Sequence, residues 1–283
     1  MLNKEQIKET IVNRLGIKNL DAYSEWKKKV FGKDTPILTQ EDRELLSPDN
    51  IHNGAFWQVC EELFYVDPVS NCQCNKLPND IDLGNKRNMV LARTTGMLNI
   101  VDEWKHYTMP ILEIGAGYGN FKNYVELTTN MTYTGVDVYP KTNGVIASTP
   151  EGFLPESVLN MKQYGLIYSS NVFQHLSSKQ RSRYFSDVSK ILHPHGVFVF
   201  NLIVHFDDPK NPQYPVSDDN RRYLGHYGQF TEIPYYYELT AELKNLFVVL
   251  SEHRKFDENL FTFTCGRKDE PKVETPKEPV QTC

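Results

Sequence analysis

The sequence predicts an α/β fold, a parallel sheet with helices on both faces, preceded by a helical module. Three observations predict it. From about residue 106, short apolar runs alternate with helical patterns, which is how a parallel sheet with crossover helices reads. The first of those runs, "ILEI", passes into a turn holding Gly115, Gly117 and Gly119 and then into a helical pattern. Residues 1–105 show helical periodicity without strand alternation. A length of 283 residues suits one large domain with a smaller module.

In the first segment Ile7, Ile11, Val12 and Leu15 fall on one helical stripe. "KDTPILTQEDRELLSPDN" reads as a loop and a short helix, entered through Thr39 as N-cap and closed at Ser47–Pro48. "GAFWQVCEELFYV" places Phe56, Trp57, Val59, Cys60, Leu63 and Phe64 on a thick apolar face, whose expected role is packing. A further helix is expected over "KRNMVLARTTGMLNIVDEWK". This module, residues 1–105, carries no glycine fingerprint and no cluster of catalytic groups, and is a candidate cover for a site built elsewhere.

In the second segment, residues 106–267, strands are expected at "PILEIG", "TYTGVDV", "YGLIYSS" and "GVFVFNLIV". Helices are expected at "NFKNYVELTT" and "SSKQRSRYFSDVSKIL". The second helix opens on a capping box, Ser177 with Gln180 three residues on, and is stopped by "HPHG". Residues 140–163 are irregular, with "GVIAS" as a weak strand. Residues 205–237 form a polar and aromatic insertion, too long for a simple connection and expected to be a lid, a binding loop or disordered. "YYYELTAELKNLF" then reads as helix, and "FVVLSEHRK" and "NLFTFTCGRK" as a strand pair joined through "FDEN". Residues 268–283 are charged and proline-rich, the composition of a flexible tail.

Composition narrows the function. A formal charge of −5 offers no basic footprint, which demotes nucleic acid and anionic membrane as partners in favour of a small molecule. No apolar run approaches the roughly 18 residues of a membrane span, and "MLNKEQIKETIVNRL" is a charged amphipathic pattern without a secretory core. Five cysteines, an odd number, fit a reducing cytoplasmic setting. Cys72 and Cys74 lack a second Cys/His pair at metal spacing, so no metal is expected.

The chemistry concentrates on the glycines. A strand that ends in a glycine turn and opens a helix lets a ligand approach the backbone closely, with N–H groups free to meet it. The spacing is G-x-G-x-G, followed by Asn120 and Phe121, where a dinucleotide fingerprint needs G-x-G-x-x-G. The next strand ends on Asp137, a carboxylate able to accept both hydroxyls of a ribose.

With these features in order, the chain resembles the class I S-adenosylmethionine-dependent methyltransferases over about 160 residues. Glu113 with "GAGYG" resembles the family's first motif, and Asp137 its acid after strand two. "LIYSSNVFQHL" resembles its fourth-strand region, "LHPHG" its turn before strand five, and the closing strand pair its last two strands. The resemblance implies a doubly wound, mostly parallel seven-stranded sheet and S-adenosyl-L-methionine as cofactor. It implies contacts to the cofactor from Glu113, Gly115, Ala116, Gly117, Gly119, Asp137, Val138, Tyr139, Asn171 and Phe173, with Ser148 or Thr149 as candidates for reading adenine. The expected reaction is methylation of an oxygen or nitrogen of a small molecule. Competing readings are a cofactor-binding regulator without turnover, and a nucleic-acid or protein methyltransferase. Against the latter, "SSNVFQ" lacks the Asn-Pro-Pro-aromatic tetrad of amino-group DNA methylation, and no Pro-Cys dipeptide occurs. A nicotinamide oxidoreductase is opposed by the glycine spacing. Candidate bases are His175, whose place resembles that of the base in plant small-molecule O-methyltransferases, and His205, with Asp207 and Asp208 close by; His226 in the insertion is a third.

Overall fold

The computed structural model describes residues 1–19, 21–23, 25, 47, 49–64, 108–117, 119, 121–122, 125–126, 129–149, 151–161, 163–204, 222–224, 230–254 and 260–268. The helices expected near residues 40–46 and 86–105, Cys72 and Cys74, most of the insertion with His205 and His226, and the tail after Lys268 lie outside the described residues.

The strands in chain order are β1 (Ile111–Ile114), β2 (Tyr133–Asp137), β3 (Val145–Ala147), β4 (Tyr164–Ser169), β5 (Leu192–Ile203), β6 (Arg222–Leu224), β7 (Phe230–Glu232), β8 (Phe247–Arg254) and β9 (Leu260–Arg267). Seven of them form one sheet of order β3-β2-β1-β4-β5-β9-β8. β1 to β5 run parallel, while β9 is antiparallel to both β5 and β8. The order reverses between β1 and β4, so the two crossovers diverge there and leave a crevice at the carboxyl edge. β6 and β7 pair as a separate antiparallel ribbon inside the insertion, a segment expected to be one long loop.

Every residue of β1 and β4 is buried, as a parallel strand covered on both faces must be. One face carries Leu112, Ile114, Ile167, Phe198, Phe200 and Phe263. It packs against α4 (Ser178–Ile191) through Tyr184, Phe185, Val188 and Ile191, and against α5 (Tyr236–Leu246) through Leu239 and Leu243. The opposite face joins Ile111, Leu166, Tyr168, Val197 and Val199 to Phe121 and Val125, which follow the glycine turn. Phe121 stacks on Tyr168 with ring centroids 4.1 Å apart, fixing the start of that helical segment on β4.

The capping box forms as expected: Gln180 N donates to Ser177 Oγ at 3.2 Å, and Ser177 N donates to Gln180 Oε1 at 3.0 Å. The helix stops before "HPHG" as expected, but the next strand starts earlier than the expected "GVFVFNLIV". α4 ends at Ile191, and β5 already begins at Leu192, with a register shift against β4 between Tyr164 and Leu166. Gly196 permits this, because a Cβ there would lie 2.8 Å from the Tyr164 carbonyl oxygen and 2.9 Å from that of Gly165. Residues 140–163 contain β3 and a single-turn helix, α3 (Glu156–Leu159).

The amino-terminal residues build their own core. α1 (Lys4–Glu9) passes into a π-helical turn, Thr10–Arg14, and packs on α2 (Asn53–Phe64). Ile7, Ile11 and Leu15 meet Ile51, Phe56, Val59 and Cys60. Lys8 pairs with Glu62 at 2.9 Å, and Lys4 reaches the same carboxylate. Among the described residues no helix is long and apolar enough to cross a membrane.

Phe173, expected at the cofactor, sits instead in the middle of the aromatic core. It is fully buried, with ring centroids 5.3 Å from both Phe185 and Phe200. The short 3₁₀ turn after β4 directs it down between sheet and α4, away from the carboxyl edge. Phe173→Ala should therefore cost about 3–5 kcal/mol of unfolding free energy, the scale of a large core truncation, measured by urea titration.

Candidate functional site

The glycine turn does three different jobs. Gly115, Gly117 and Gly119 all adopt positive φ, +80°, +50° and +75°. At Gly115 a Cβ would come within 2.0 Å of Val172 Cγ2, so glycine lets the loop after β4 close on the loop after β1. At Gly119 the neighbour is Thr142, at 3.1 Å. At Gly117 a Cβ would meet nothing within 4 Å. That open space is where a ligand can approach the backbone.

The N–H groups of this turn are directed inward, which differs from the expectation that they face a ligand. Gly115 N and Ala116 N both donate to the Val136 carbonyl, at 2.8 and 3.1 Å, and Gly119 N donates to Ala116 O at 2.8 Å. Gly117 N donates to Asp137 Oδ2 at 2.8 Å. The other carboxylate oxygen, Oδ1, accepts from Tyr139 N at 2.7 Å. Asp137 thus clamps the turn to the end of β2. Burial raises its pKa, opposed by the two N–H donors and by the charge of Lys141. Each oxygen takes one N–H and keeps a second acceptor site, so a diol can still be held.

Glu113 is buried beneath the turn and does not line the cavity. Tyr133 on β2 donates its hydroxyl to Glu113 Oε2. Desolvation pushes the Glu113 carboxyl up to about 8, with the Tyr133 hydrogen bond opposing and the Asp137 charge adding to the rise. Tyr133 is held well above the ordinary phenol range by its burial and by Glu113.

A cavity of about 210 Å³ opens above β1, β2 and β4. Gly115, Gly117, Asp137, Val138, Tyr139 and Lys141 form its β1 and β2 side. The β4 side brings Ser170, Asn171, Val172, His175, Leu176 and, from α4, Tyr184. Asn171 takes φ 58°, a conformation asparagine tolerates better than most residues. Its N–H donates to Asn201 Oδ1 at 2.7 Å, tying the end of β4 to β5. Lys141 Nζ lies 5.2 Å over the Tyr139 ring. Of the residues expected at the cofactor, the structure gathers Gly115, Gly117, Asp137, Val138, Tyr139 and Asn171 around one cavity, with His175 beside them. Ala116 and Gly119 shape the turn from behind. Ser148 and Thr149 are engaged in their own loop, where Ser148 Oγ donates to Thr149 O at 3.1 Å and Phe153 N donates to Thr149 Oγ1 at 3.1 Å.

Trp57 was expected in the module's core, and it does touch Phe56 edge-on at 5.4 Å. It also lines the cavity and meets the His175 ring edge-on, again at 5.4 Å. Its stripe of apolar neighbours concealed this second face. Lys141 and Tyr184 carried no signal beyond their nearness to Asp137 and to the capping box.

The Glu113 environment makes a pH prediction. A carboxyl ordinarily near 4.5 and raised to about 8 in the folded chain keeps its proton there when the unfolded chain has lost it. Stability from this group is complete below the lower value and declines as pH rises toward the upper one. Glu113→Gln, which retains a carbonyl acceptor for Tyr133, should flatten that decline between about pH 5 and 8 in urea titrations. Parallel profiles for wild type and variant would show that Glu113 titrates normally.

Comparison with known proteins agrees with this geometry. Residues 112–200 match the family model described as methyltransferase domain. No curated protein matches the sequence. Similar solved structures include the PH0226 protein of Pyrococcus horikoshii, with 11% identity, TM-score 0.49, and coverage of 72% of this chain and 97% of that one. An S-adenosylmethionine-dependent methyltransferase of Clostridium acetobutylicum shares 12% identity at TM-score 0.46, covering 72% of this chain and 99% of its own. The 1,6-didemethyltoxoflavin-N1-methyltransferase of Burkholderia thailandensis, solved with bound 1,6-didemethyltoxoflavin and S-adenosylhomocysteine, shares 16% identity at TM-score 0.42, covering 65% of this chain and 87% of that one. The segment that matches the methyltransferase-domain model, residues 112–200, lies on the seven-stranded sheet and carries the glycine turn and Asp137 at its carboxyl edge, the fold of the class I methyltransferases.

Proposed function

We propose that this chain transfers a methyl group from S-adenosylmethionine to an oxygen or nitrogen of a small molecule, in a cytoplasmic setting. The observation that carries the reading is the pairing, across one cavity, of open space at Gly117 with a half-buried carboxylate at Asp137 that retains acceptor capacity. A nucleoside thioether fits such a site: the diol on Asp137, and the chain beyond C5′ along the glycine turn. Glu113 and Tyr133 act from behind it, setting the field under the turn rather than touching the ligand.

When bound, the cofactor supplies an electrophilic methyl on a sulfonium. The chain's own contribution is alignment of the acceptor with that methyl, because an in-line displacement gains most from fixed distance and angle. Asn171 stands at the end of β4, its main chain locked by Asn201, and with Val172 it shapes the edge nearest Gly115. His175 lines the same cavity and is the described residue suited to take a proton from a hydroxyl acceptor. His205 is a second candidate base, outside the described residues.

S-adenosylhomocysteine should raise the thermal midpoint of the chain, as a ligand of the native state does. Gly117→Val should abolish the shift, since a branched side chain would fill the open space and forbid φ +50°. Asp137→Ala should weaken binding by about 1.5–3 kcal/mol, the scale of lost charge-assisted hydrogen bonds, and Asp137→Asn by less. Equal binding by all three variants would remove the reading.

Turnover is read as S-adenosylhomocysteine released with panels of phenols, alcohols, amines and heterocycles, alongside RNA and peptide controls. His175→Gln should lower turnover of a hydroxyl acceptor about 10²-fold or more, well beyond any change in cofactor affinity. Release with RNA or peptide alone, or with no acceptor at all, would favour the competing macromolecular or regulatory readings.

A further inference from the structure

The amino-terminal module has a core of its own, separate from both cores of the sheet, and it meets the sheet domain at the cavity. Three contacts seat it there. Gly54 on α2 lies so close to the loop after β2 that a Cβ would fall 2.4 Å from the Val138 carbonyl oxygen. Ser177, the N-cap of α4, donates its hydroxyl to Asp49 Oδ1 at 2.7 Å. Trp57 meets His175 edge-on at 5.4 Å. Val138, His175 and Trp57 all line the cavity, so the surfaces that hold the module are also the surfaces that would hold a ligand.

We propose that docking of the module and occupation of the cavity are one coupled event, with Trp57 a direct contact of the bound nucleoside and Gly54 the seat that lets Trp57 reach it. The proposal rests on the cofactor reading above and adds to it. With Asp137 taking the diol, aromatic surface for the base is supplied by Trp57, Tyr139 and Tyr184. Flat rings around a site one sugar away from a diol acceptor suit a purine base, which offers a π-face and an edge to such neighbours. A ligand touching both module and sheet domain gains contact only in the docked arrangement. It must therefore favour that arrangement by the same factor by which docking favours the ligand.

Gly54 separates coupling from simple stability. Alanine is the better helix former by about 1 kcal/mol, so Gly54→Ala favours α2 by itself. The same methyl group meets backbone at Val138, which cannot swing aside as a side chain can. The variant should keep its helix content and lose ligand affinity. A merely local role for α2 predicts unchanged ligand affinity.

The test uses the full chain with S-adenosylhomocysteine and, separately, 5′-methylthioadenosine, which keeps the nucleoside and lacks the amino-acid end. Trp57→Ala should weaken both ligands by about tenfold or more, the scale of a lost base–aromatic contact, and Trp57→Phe should restore most of it. Gly54→Ala should weaken both by about tenfold through steric displacement of the seat. Of the three tryptophans, Trp57 should carry the ligand-induced change in fluorescence, so that Trp57→Phe abolishes the change while still binding. Amide exchange over residues 51–60 should slow with ligand in wild type and much less in Gly54→Ala. The proposal is overturned if the folded variants bind both ligands within about twofold of wild type, or if the fluorescence change survives Trp57→Phe. Ligand binding by wild type without any slowing of exchange also overturns it while leaving the cofactor reading intact. Failure of wild type to bind either ligand overturns the cofactor reading and this proposal together.

Discussion

The site depends on one carboxylate. Asp137 sits at the end of β2 and accepts the N–H of Gly117 with one oxygen and that of Tyr139 with the other. Two loops that leave adjacent parallel strands would otherwise be free to splay. With the clamp in place, the turn after β1 and the loop after β2 form a single rigid edge. Burial alone would favour a neutral Asp137, and the two charge-assisted bonds, with Lys141 nearby, oppose that. The residue proposed to hold the ribose is also the residue that builds the pocket.

A second close approach completes the crevice from the β4 side. Gly115 admits Val172 to a distance that any side chain would prevent, and Asn171 takes a left-handed conformation held by Asn201 of β5. β1, β4 and β5 are thereby linked at their carboxyl ends across the point where the strand order reverses. This is where open parallel sheets bind ligands, because the crossovers diverge and leave the strand ends uncovered. Beneath it, Ser169 donates its hydroxyl to the Ile114 carbonyl at 3.0 Å, joining β4 to β1 where the regular ladder stops.

What the sequence made legible follows from how local each signal is. The Ser177–Gln180 box and the terminal strand pair depend on residues a few positions apart, and both took their expected form. Phe173 and Asn171 are two positions apart, yet one enters the core and the other the cavity. Only the 3₁₀ turn decides that, and 3₁₀ turns have no strong sequence signature. The direction of the glycine-turn N–H groups was equally hidden, since it depends on the Val136 carbonyl, some twenty residues downstream in the chain. In "HPHG" the proline and glycine suggested a helix stop, which forms, but Gly196 also serves the crowding of three carbonyls around a strand already under way.

Trp57 shows the opposite limit. Its place in the apolar stripe of α2 was legible, and that stripe does build a core. A helix packed on two sides, however, needs an apolar face wider than one partner requires, and sequence does not say which edge meets which partner. Here one edge meets Ile7, Ile11 and Leu15, and the other brings Trp57 to His175. Two cores joined through a cavity differ from two cores joined through a dry interface. On the proposed coupling, a ligand that touches both parts favours their docked arrangement by the factor by which docking favours the ligand. In this chain the absence of a Cβ at Gly54 is what allows the two parts to come that close, and the same approach sets how much of Trp57 the cavity can use.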